Sequence, residues 1–413
     1  MKVLILTTNS YPFGKNEDQL HFQVLSFSNV FDKVYIISSQ NNKKVLFDLP
    51  SNVIPYNLNF NLTSSQKIIG LKNLFNGLLL NELKQIILKR KDVKWYRVIK
   101  LLTNSFTLST RYARFIDSII TKDNLTNECL TLYSYWATEA SIGSAIVKKK
   151  RSNLQINLNV RFHAYELYEE RHNPNYIPYR TLLISSANKL IFISNQGKEY
   201  FENKYGHQEN SIVNRLGVRR GNKIDMSENA EIKIVSCSSL IDLKRVHLII
   251  DALSEIKELK VSWIHIGEGV LKDYLIQQCN KKFTGTNISY CFKGFLNNSL
   301  INDFYKNGKF DLFINVSEYE GVPLSIMEAM SNSIPCIGTD VGGVKELIDH
   351  KSNGYVLDKD FDVKELSQLI VSFSKLSKVD RNKFSKNAYK KWEQDFDINL
   401  NTKELIDILI KKI

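Results

Sequence analysis

The sequence predicts an α/β protein built from two doubly wound, Rossmann-like domains. The chain has 413 residues, about twice the length of a typical domain. Short runs rich in β-branched residues alternate with helical patterns along it, which is typical of parallel sheets built from βαβ units. A polar, glycine-containing segment, residues 215–231, separates two series of such runs, and we interpret it as the linker between the domains.

Each series predicts five strands. The first series is Val3–Thr7, Val34–Ser38, Leu130–Tyr135, Leu158–Phe162 and Leu190–Ser194. The second series is Ile232–Cys237, Val261–Ile266, Ile288–Phe292, Asp311–Val316 and Ile334–Gly338. We therefore assign residues 1–218 to an N-terminal domain and residues 219–389 to a C-terminal domain. The last segment, 390–413, ends in apolar residues at helical spacing and is expected to pack back on the N-terminal domain.

The composition is that of an ordinary soluble globular protein, with 43% hydrophobic and 24% charged residues. The apolar runs fall short of the roughly 20 residues that span a bilayer. The opening MKVLILTTNS predicts a first buried strand rather than a signal peptide. The five cysteines are scattered and never spaced as CxxC, which favours reduced thiols over disulfides or a zinc site. A cytoplasmic protein is expected.

The basic excess is concentrated in one stretch. The net charge is +13, and residues 67–111 contain ten Lys or Arg against two acids. Within residues 66–100 apolar side chains recur at helical spacing, and basic amphipathic helices are typical of membrane surfaces. Residues 66–111 are thus predicted to contact an anionic membrane from its inner, cytoplasmic face, but a core helix with a charged outer face is equally compatible. No helix-turn-helix or RNA-binding aromatic pattern points to nucleic acid.

The most informative motif lies in residues 317–343. It follows a predicted strand, and Pro323 stands where a helix takes its first residue, so the neighbouring amides suit phosphate or sugar oxygens. Glu320 and Glu328 would lie about 12 Å apart along a helix, whereas the carboxylate pairs of glycosidases need roughly 5–9.5 Å. The spacing favours two carboxylates that bind different hydroxyls of one extended ligand. The alternative is a pair of surface glutamates flanking a helix cap.

Glu320 and Glu328, with GVPLSIM between them, resemble the E-x7-E signature of family-4 retaining glycosyltransferases. These enzymes have the GT-B fold, two Rossmann-like domains facing a cleft. The segments IPCIGTD, VGGVKELI and GYVLD continue the resemblance. It implies that Glu320 contacts the transferred sugar and Glu328 the ribose of the nucleotide. It also implies that the sugar and diphosphate are held by the backbone of Gly321, Val322, Pro323, Leu324 and Ser325.

Other donor-side segments follow in the order of the family. SCSSLIDLKRVHLIIDAL resembles the first strand and helix of the family's C-terminal domain, with Lys244 as the lysine that neutralises the leaving diphosphate. The arginine usual five positions earlier is replaced by Ser239, and Arg245 is the candidate substitute. HIGEGVLKDYL resembles the nucleotide-site turn, which implicates Gly267 and Glu268. CFKGFLNN resembles the loop that reads the base near Phe295.

Two N-terminal segments resemble the family's cleft loops. NSYPFGKNEDQLHF resembles the glycine loop, with Gly14 as a donor contact, although a plain strand-to-helix turn would also account for it. RFHAYELYEERHN resembles the strand end where the family places a histidine beside the donor sugar. His163 matches that position, and a purely structural histidine is the alternative. Arg161, Tyr165 and Glu166 are the acceptor-side candidates.

The resemblance implies a retaining, metal-independent glycosyltransferase. It would move a hexose-type sugar from a nucleotide-sugar, with a UDP-sugar favoured, to a glycan or lipid-linked glycan in bacterial surface-polysaccharide synthesis. No DxD motif suitably placed for a divalent ion, no HExxH motif and no His/Cys cluster is found, so neither a metal nor a cofactor is expected. Two alternatives remain open: a non-catalytic nucleotide-sugar-binding subunit, consistent with Ser239, and a GT-B-fold epimerase.

Overall fold

The computed structural model describes residues 1–15, 17–40, 42, 44–58, 77–90, 94–223 and 231–411. The chain divides into two compact units. The first unit contains Met1–Ile193, Gly197–Asn214 and Thr402–Ile413, and the second contains Ser194–Gln196 and Arg215–Asn401. Of the predicted basic amphipathic stretch 66–111, residues 66–76 and 91–93 lie outside the described residues.

The first unit is built on a seven-stranded parallel sheet in the order β3-β2-β1-β4-β5-β6-β7. Val3 of β1 pairs with Lys33 on one side and with Leu130 on the other, so the strand order reverses between β1 and β4. The strands are β1 Lys2–Thr8, β2 Lys33–Ser38, β3 Val53–Asn57, β4 Cys129–Ser134, β5 Ile156–Phe162, β6 Lys189–Phe192 and β7 Ser211–Val213.

Helices cover both faces of this sheet. They are α1 Leu20–Ser28, α2 Gly77–Lys89, α3 Trp95–Lys122, α4 Glu139–Lys150, α5 Arg180–Ser186 and α6 Asn195–Tyr205. Alternate residues of β1 enter two separate cores, because successive side chains of a strand point to opposite faces. Val3 and Ile5 pack with α3 and α4, whereas Leu4 and Leu6 pack with α1.

The second unit contains a six-stranded parallel sheet in the order β10-β9-β8-β11-β12-β13. Its strands are β8 Glu231–Cys237, β9 Lys260–Ile266, β10 Ile288–Gly294, β11 Leu312–Asn315, β12 Cys336–Thr339 and β13 Gly354–Leu357. Its helices are α7 Val246–Ser254, α8 Lys272–Phe283, α9 Asn298–Gly308, α10 Leu324–Ser331, α11 Val344–Leu347, α12 Val363–Ser374 and α13 Lys378–Asp395. Here the order reverses between β8 and β11. Both predicted doubly wound sheets are confirmed.

The last helix, α14 (Ile398–Ile410), begins in the second unit and ends in the first. Leu405 and Leu409 are fully buried in the core that also contains Leu4 and Leu6. Thr131 of β4 and Asn157 of β5 donate hydrogen bonds of 3.2 and 3.0 Å to the carbonyl of Leu409, which satisfies the end of the helix.

The boundaries of the units differ from the predicted ones by a few residues. Apart from the short segment Ser194–Gln196, the chain leaves the N-terminal unit after Asn214 rather than after residue 218, and residues 390–401 belong to the second unit. The reason for the second difference is that α13, which extends to Asp395, packs on α10 of the second unit. Only residues 402–413 return to the first unit.

Candidate active site

A small cavity lies where β8 and β11 of the second unit end side by side. Its lining includes Ser236, Cys237, Ser238, Lys244, Asn315 and Ser317. In open α/β sheets the crevice at this reversal of strand order, outside the carboxyl ends of the strands, is the usual place for ligands. The residues predicted from the E-x7-E motif and from the lysine segment both lie at this edge.

Glu320 occupies the loop after β11 and is held by three donors. Its Oε1 accepts from Lys244 Nζ at 2.7 Å, from Ser317 Oγ at 2.6 Å and from Asn315 Nδ2 at 3.1 Å. The Glu320 side chain is only 10% exposed. The structure therefore brings the two predicted catalytic residues of this unit into direct contact. Asn315 and Ser317 were not singled out in the sequence, although both stand within five residues of Glu320.

The helix after this loop is α10, which begins at Leu324 with Pro323 at the N-cap. The first amides of a helix have no intrahelical acceptor, so this end is able to bind an anion. Gly321 and Val322 precede it, and Ser325 lies in its first turn. The prediction placed Pro323 at the first helical position, but the helix begins one residue later, because the backbone of Pro323 is still extended.

Glu328 lies in α10 and is largely buried. The charges of Glu328 and Lys244 both interact with the thiol of Cys237, at the end of β8. Burial and, to a smaller extent, the Glu328 carboxylate raise the pKa of Cys237 to about 12, and Lys244 opposes this. Glu320, Lys244 and Glu328 thus surround the carboxyl ends of β8 and β11.

A glycine turn after β12 supports the Glu320 loop. Gly342 has φ +52°, and a Cβ at this position would lie 2.1 Å from the carbonyl oxygen of Glu320. The amide of Gly343 donates to the carbonyl of Gly321 at 2.6 Å. Only glycine permits this approach of one backbone to another, which explains the VGG of the sequence motif.

Arg245 has a different environment from its neighbour Lys244. Its guanidinium donates to the carbonyls of Val316 at 2.8 Å, Lys359 at 2.8 Å and Ser317 at 3.3 Å. All three acceptors are backbone carbonyls, so Arg245 stabilises the loop after β11. The expectation that Arg245 replaces the arginine missing at Ser239 has no support in this arrangement.

The turn after β9 contains the other donor-side candidates. Gly267 has φ +143°, and a Cβ there would lie 1.9 Å from the carbonyl oxygen of Ser238. Glu268 pairs with Lys272 at 2.8 Å. Phe295, which follows β10, is 77% exposed. Glycine is thus required at position 267 for steric reasons. The Glu268 carboxylate is already paired with Lys272, four residues later.

The loop after β1 of the first unit is organised by Glu17 rather than by Gly14. The amide of Gly14 donates to the carbonyl of Ser10 at 2.8 Å and is therefore occupied. Glu17 is buried and accepts from the amides of Asn9, Ser10 and Tyr11 at 3.1, 2.7 and 2.7 Å. These contacts favour the interpretation of Gly14 as part of a plain strand-to-helix turn over its interpretation as a donor contact. The role of Glu17 was missed, because acid-to-amide bonds within a loop leave no periodic signal in a sequence.

His163 directly follows β5 and is paired with Glu166. Glu166 Oε1 accepts from the His163 amide at 2.8 Å and lies 3.2 Å from its Nδ1. Both side chains are buried. Burial by itself would raise the pKa of Glu166, but the hydrogen bonds and charge of His163 bring it below its usual value. Glu166 therefore contacts His163, rather than presenting an open carboxylate as the acceptor-side prediction required.

Arg161 and Tyr165 have opposite environments. Arg161 is fully buried, donates to the side chain of Asn214, and lies over the ring of Tyr135 at 5.9 Å. Asn214 in turn donates to Glu404 of α14 at 2.8 Å. A side chain enclosed in this way has no surface for an acceptor, whereas Tyr165 is 59% exposed. The prediction for Arg161 is corrected accordingly.

Most of the second unit matches a known protein family. Residues 222–391 match the family described as "Glycosyl transferases group 1". Residues 222–391 form a group 1 glycosyltransferase domain.

A curated relative agrees with this assignment and extends beyond the group 1 domain. The chain is 23% identical over 267 residues to the putative colanic acid biosynthesis glycosyltransferase WcaL of Escherichia coli K12. That match covers 60% of this chain and 63% of the relative, so less than two thirds of the relative's length is spanned.

Solved structures show the fold over nearly the whole chain. HepE of Anabaena in complex with UDP has a TM-score of 0.66 at 17% identity, covering 99% of both chains. The lipopolysaccharide outer core galactosyltransferase WaaB, in its apo form, has a TM-score of 0.68 at 14% identity, covering 100% of both. The two parallel, Rossmann-like sheets therefore belong to the α/β GT-B fold.

Within the part of the chain that the structure describes, no three His, Cys, Asp or Glu side chains lie close enough together to hold a metal ion. None of the helices described is long and apolar enough to cross a membrane.

Proposed function

We propose that this chain is a retaining, metal-independent glycosyltransferase that moves a hexose-type sugar from a nucleotide-sugar to a glycan or lipid-linked glycan of a bacterial surface polysaccharide. The observation that carries the proposal is the 2.7 Å contact of Lys244 with Glu320, at the carboxyl ends of β8 and β11 in a group 1 domain. The N-terminus of α10 follows this pair directly in the chain.

The difficulty of such a reaction is the negative charge that develops on the departing β-phosphate. Preorganised cations and amide dipoles stabilise developing charge more than water does, because they need no reorganisation. Lys244 supplies the cation, and the first amides of α10 supply the dipoles. The same elements bind the diphosphate before reaction, and the metal requirement is thereby removed.

The two glutamates have separate tasks in this proposal. Glu320 binds a hydroxyl of the transferred sugar, and its three donors fix the direction of the carboxylate. Glu328 binds the ribose. The sugar is held with its reacting carbon open to the acceptor on the face from which the diphosphate leaves, so the anomeric configuration is retained.

A uridine nucleotide is the proposed donor. The support is that HepE has been solved with UDP and also with UDP-glucose, and its fold covers 99% of this chain. The exposed Phe295 after β10 is the candidate residue beside the base.

A binding experiment tests the donor site first. Thermal unfolding is followed with UDP, GDP, ADP and their sugar conjugates, each with and without EDTA. A ligand at 100 times its dissociation constant stabilises its site by about 2.7 kcal/mol, which is a shift of several degrees for a domain of this size. An EDTA-resistant shift with UDP alone is expected. A shift that EDTA abolishes contradicts metal independence, and a shift with another base contradicts the uridine assignment.

Transfer assays with variants test the site residues. Glu320→Ala and Lys244→Ala should each lower transfer at least about 100-fold, with unfolding temperatures near wild type. Glu318→Ala is the matched control, because Glu318 lies in the same loop but is 50% exposed and pairs with Lys359. Wild-type rates for both site variants would remove the assignment. If the wild-type chain binds the nucleotide but transfers no sugar, the non-catalytic binding subunit is favoured. If it converts the sugar of the donor into an epimer without transfer, the epimerase is favoured.

The same proposal includes a membrane surface on the first unit. Leu80, Ile87 and Leu88 of α2 are exposed, as are Trp95 and Tyr96 at the start of α3. Apolar and aromatic side chains surrounded by cations are typical of proteins that bind anionic membranes. The chain would act at the inner, cytoplasmic face of the membrane, where a lipid-linked acceptor is available. Co-sedimentation with vesicles measures the binding of the chain to such a membrane.

A further inference from the structure

The imidazole of His163 is buried against Glu166, Trp136 and Tyr135. Glu166 Oε1 is 3.2 Å from Nδ1 and also accepts the His163 amide. The ring lies against Trp136, with centroids 4.1 Å apart and an interplanar angle of 37°, and against Tyr135 at 4.9 Å. Within the described residues, Nε2 is buried and has no hydrogen-bond partner.

The Trp136 ring is itself fixed. Its Nε1 donates to Glu17 Oε1, and the same carboxylate binds the amides of residues 9, 10 and 11. Glu17 therefore connects the loop after β1 with the aromatic surface that carries the imidazole. Trp136 lies two residues beyond the end of β4, and His163 one residue beyond the end of β5. Three neighbouring strands thus contribute to the position of one ring.

From this arrangement we infer that Glu166 and Glu17 are positioning residues, which hold His163 so that its Nε2 is the atom that meets a substrate hydroxyl. The inference deepens and rests on the proposed function. It assigns to Glu166 a role different from the acceptor contact expected from the sequence, and it assigns a role to Glu17, which the sequence did not reveal.

The chemistry of the carboxylate decides which nitrogen is free. An ionised carboxylate only accepts hydrogen bonds, so the proton of a neutral His163 ring must lie on Nδ1, facing Glu166. Nε2 then has a lone pair directed away from Glu166, which accepts a hydrogen bond from a sugar or acceptor hydroxyl. The second oxygen of Glu166, Oε2, is also buried without a partner in the described residues, so the carboxylate makes its hydrogen bonds to His163 through Oε1.

The first test observes the ring directly, without substrate. Nitrogen-15 histidine spectra of the full chain, with His163→Gln to identify the signal, report which nitrogen of the neutral ring carries the proton. The Nδ1-protonated form is expected in wild type and in Glu166→Gln, whose amide oxygen still accepts. Glu166→Ala should give a mixture of both forms. An unchanged Nδ1-protonated signal in Glu166→Ala would overturn the inference, and Glu199→Ala, an exposed glutamate, is the matched control.

The second test separates positioning from contact with the acceptor. Glu166→Ala should lower kcat about 10- to 100-fold, as expected when a reacting group is misplaced, with the acceptor KM within about 3-fold. Glu166→Gln should recover most of the rate, and Glu17→Ala should mimic Glu166→Ala. A raised acceptor KM with an unchanged kcat would show that Glu166 touches the acceptor, against the inference. The nitrogen-15 result stands even if the wild-type chain transfers no sugar, so the two failures are distinguishable.

Discussion

Single buried side chains determine much of the geometry of both candidate sites. Glu320 receives three hydrogen bonds on one oxygen, and Glu17 receives three backbone amides and an indole. Satisfied buried networks of this kind have one arrangement and rigidify the loops that contain them. The loops after β1 and β11 are therefore ordered before any ligand binds, which reduces the entropy lost on binding.

His265 of β9 is a buried histidine that stabilises the nucleotide-side turn. Its Nδ1 is 2.8 Å from Ser236 Oγ, and its Nε2 is 3.1 Å from the carbonyl of Ser238. A carbonyl only accepts, so Nε2 carries the proton and Nδ1 accepts from the serine. Burial lowers the pKa of His265 to about 4. The ring is thus neutral in the folded protein at physiological pH.

This pKa predicts a stability that depends on pH. Below its ordinary pKa of about 6.5 the unfolded chain protonates His265, while the folded chain resists protonation down to about pH 4. The stability contribution is therefore complete above pH 6.5 and is lost as the pH falls, by about 2 kcal/mol between pH 7 and pH 5. Urea unfolding of the second unit at these two pH values measures it.

The control for this prediction is the same measurement on two variants. His265→Gln should reduce the pH dependence of unfolding, because the amide offers a donor and an acceptor without titrating. His350→Gln changes an exposed histidine of the same unit and should leave the slope as in wild type. Equal slopes for wild type and His265→Gln would show that another group accounts for the effect.

The strands were predictable because buried parallel strands are continuous apolar runs. The runs at Val3–Thr7 and Ile232–Cys237 correspond to β1 and β8 within one residue at each end. Three strands, β3, β7 and β13, were absent from the two predicted series, and each lies at an edge of its sheet. β3 contains Pro55, which lacks a donor and weakens the strand pattern, and β7 has only three residues.

The site was predictable only in part. The residues of the E-x7-E motif and Lys244 were identified, since helix and strand ends bring them to one edge of a sheet. The partners that hold them, such as Asn315, Ser317 and Glu17, were not identified. Likewise Arg161 is close to His163 in the sequence but still lies within β5, where its buried side chain donates to Asn214, which in turn donates to Glu404 of α14.

Helix α2 has two apolar faces, of which only one is buried. Leu79 and Ile86 enter the core, and Glu82 is bound by Tyr176 Oη at 2.5 Å and by the Tyr179 amide at 2.6 Å. The other face exposes Leu80, Ile87 and Leu88. Among the described residues of 77–100, Glu82 is the single acid, and the exposed charges are Lys84, Lys94, Arg97 and Lys100. The exposed face thus combines apolar and cationic groups.

This face predicts binding to anionic vesicles. The full chain should co-sediment with phosphatidylserine-containing vesicles more than with neutral ones, and added salt should weaken this, since each cation near such a surface contributes about 1 kcal/mol. Ile87→Gln with Leu88→Gln should reduce binding several-fold. Leu300→Gln, at an exposed leucine of the second unit, is the control. Equal binding to neutral and anionic vesicles would contradict the membrane proposal.

The chain crosses between the two units four times. It leaves the first unit after Ile193, returns at Gly197, leaves after Asn214 and returns at Thr402. The short segment Ser194–Gln196 belongs to the second unit because Asn195 and Gln196 donate hydrogen bonds to Glu346 of α11. Glu346 also accepts from Arg215, and the three bonds measure 3.0 to 3.3 Å. The final residues complete the core of the first unit, nearly 400 positions after that core begins.

The returning helix predicts that a change near the C-terminus destabilises the N-terminal unit. Leu405→Ala removes a fully buried side chain from the core around Leu4 and Leu6 and should cost about 2–5 kcal/mol. Leu400→Ala, in the same helix but 53% exposed, should cost little. Hydrogen exchange locates the effect: amides of β1 and β4 should exchange faster in Leu405→Ala, while those of β8 and β11 keep their protection. Loss of protection in β8 and β11 alone would show that α14 supports the second unit instead. Since the donor site lies in the second unit, binding of UDP should persist in Leu405→Ala wherever that unit remains folded.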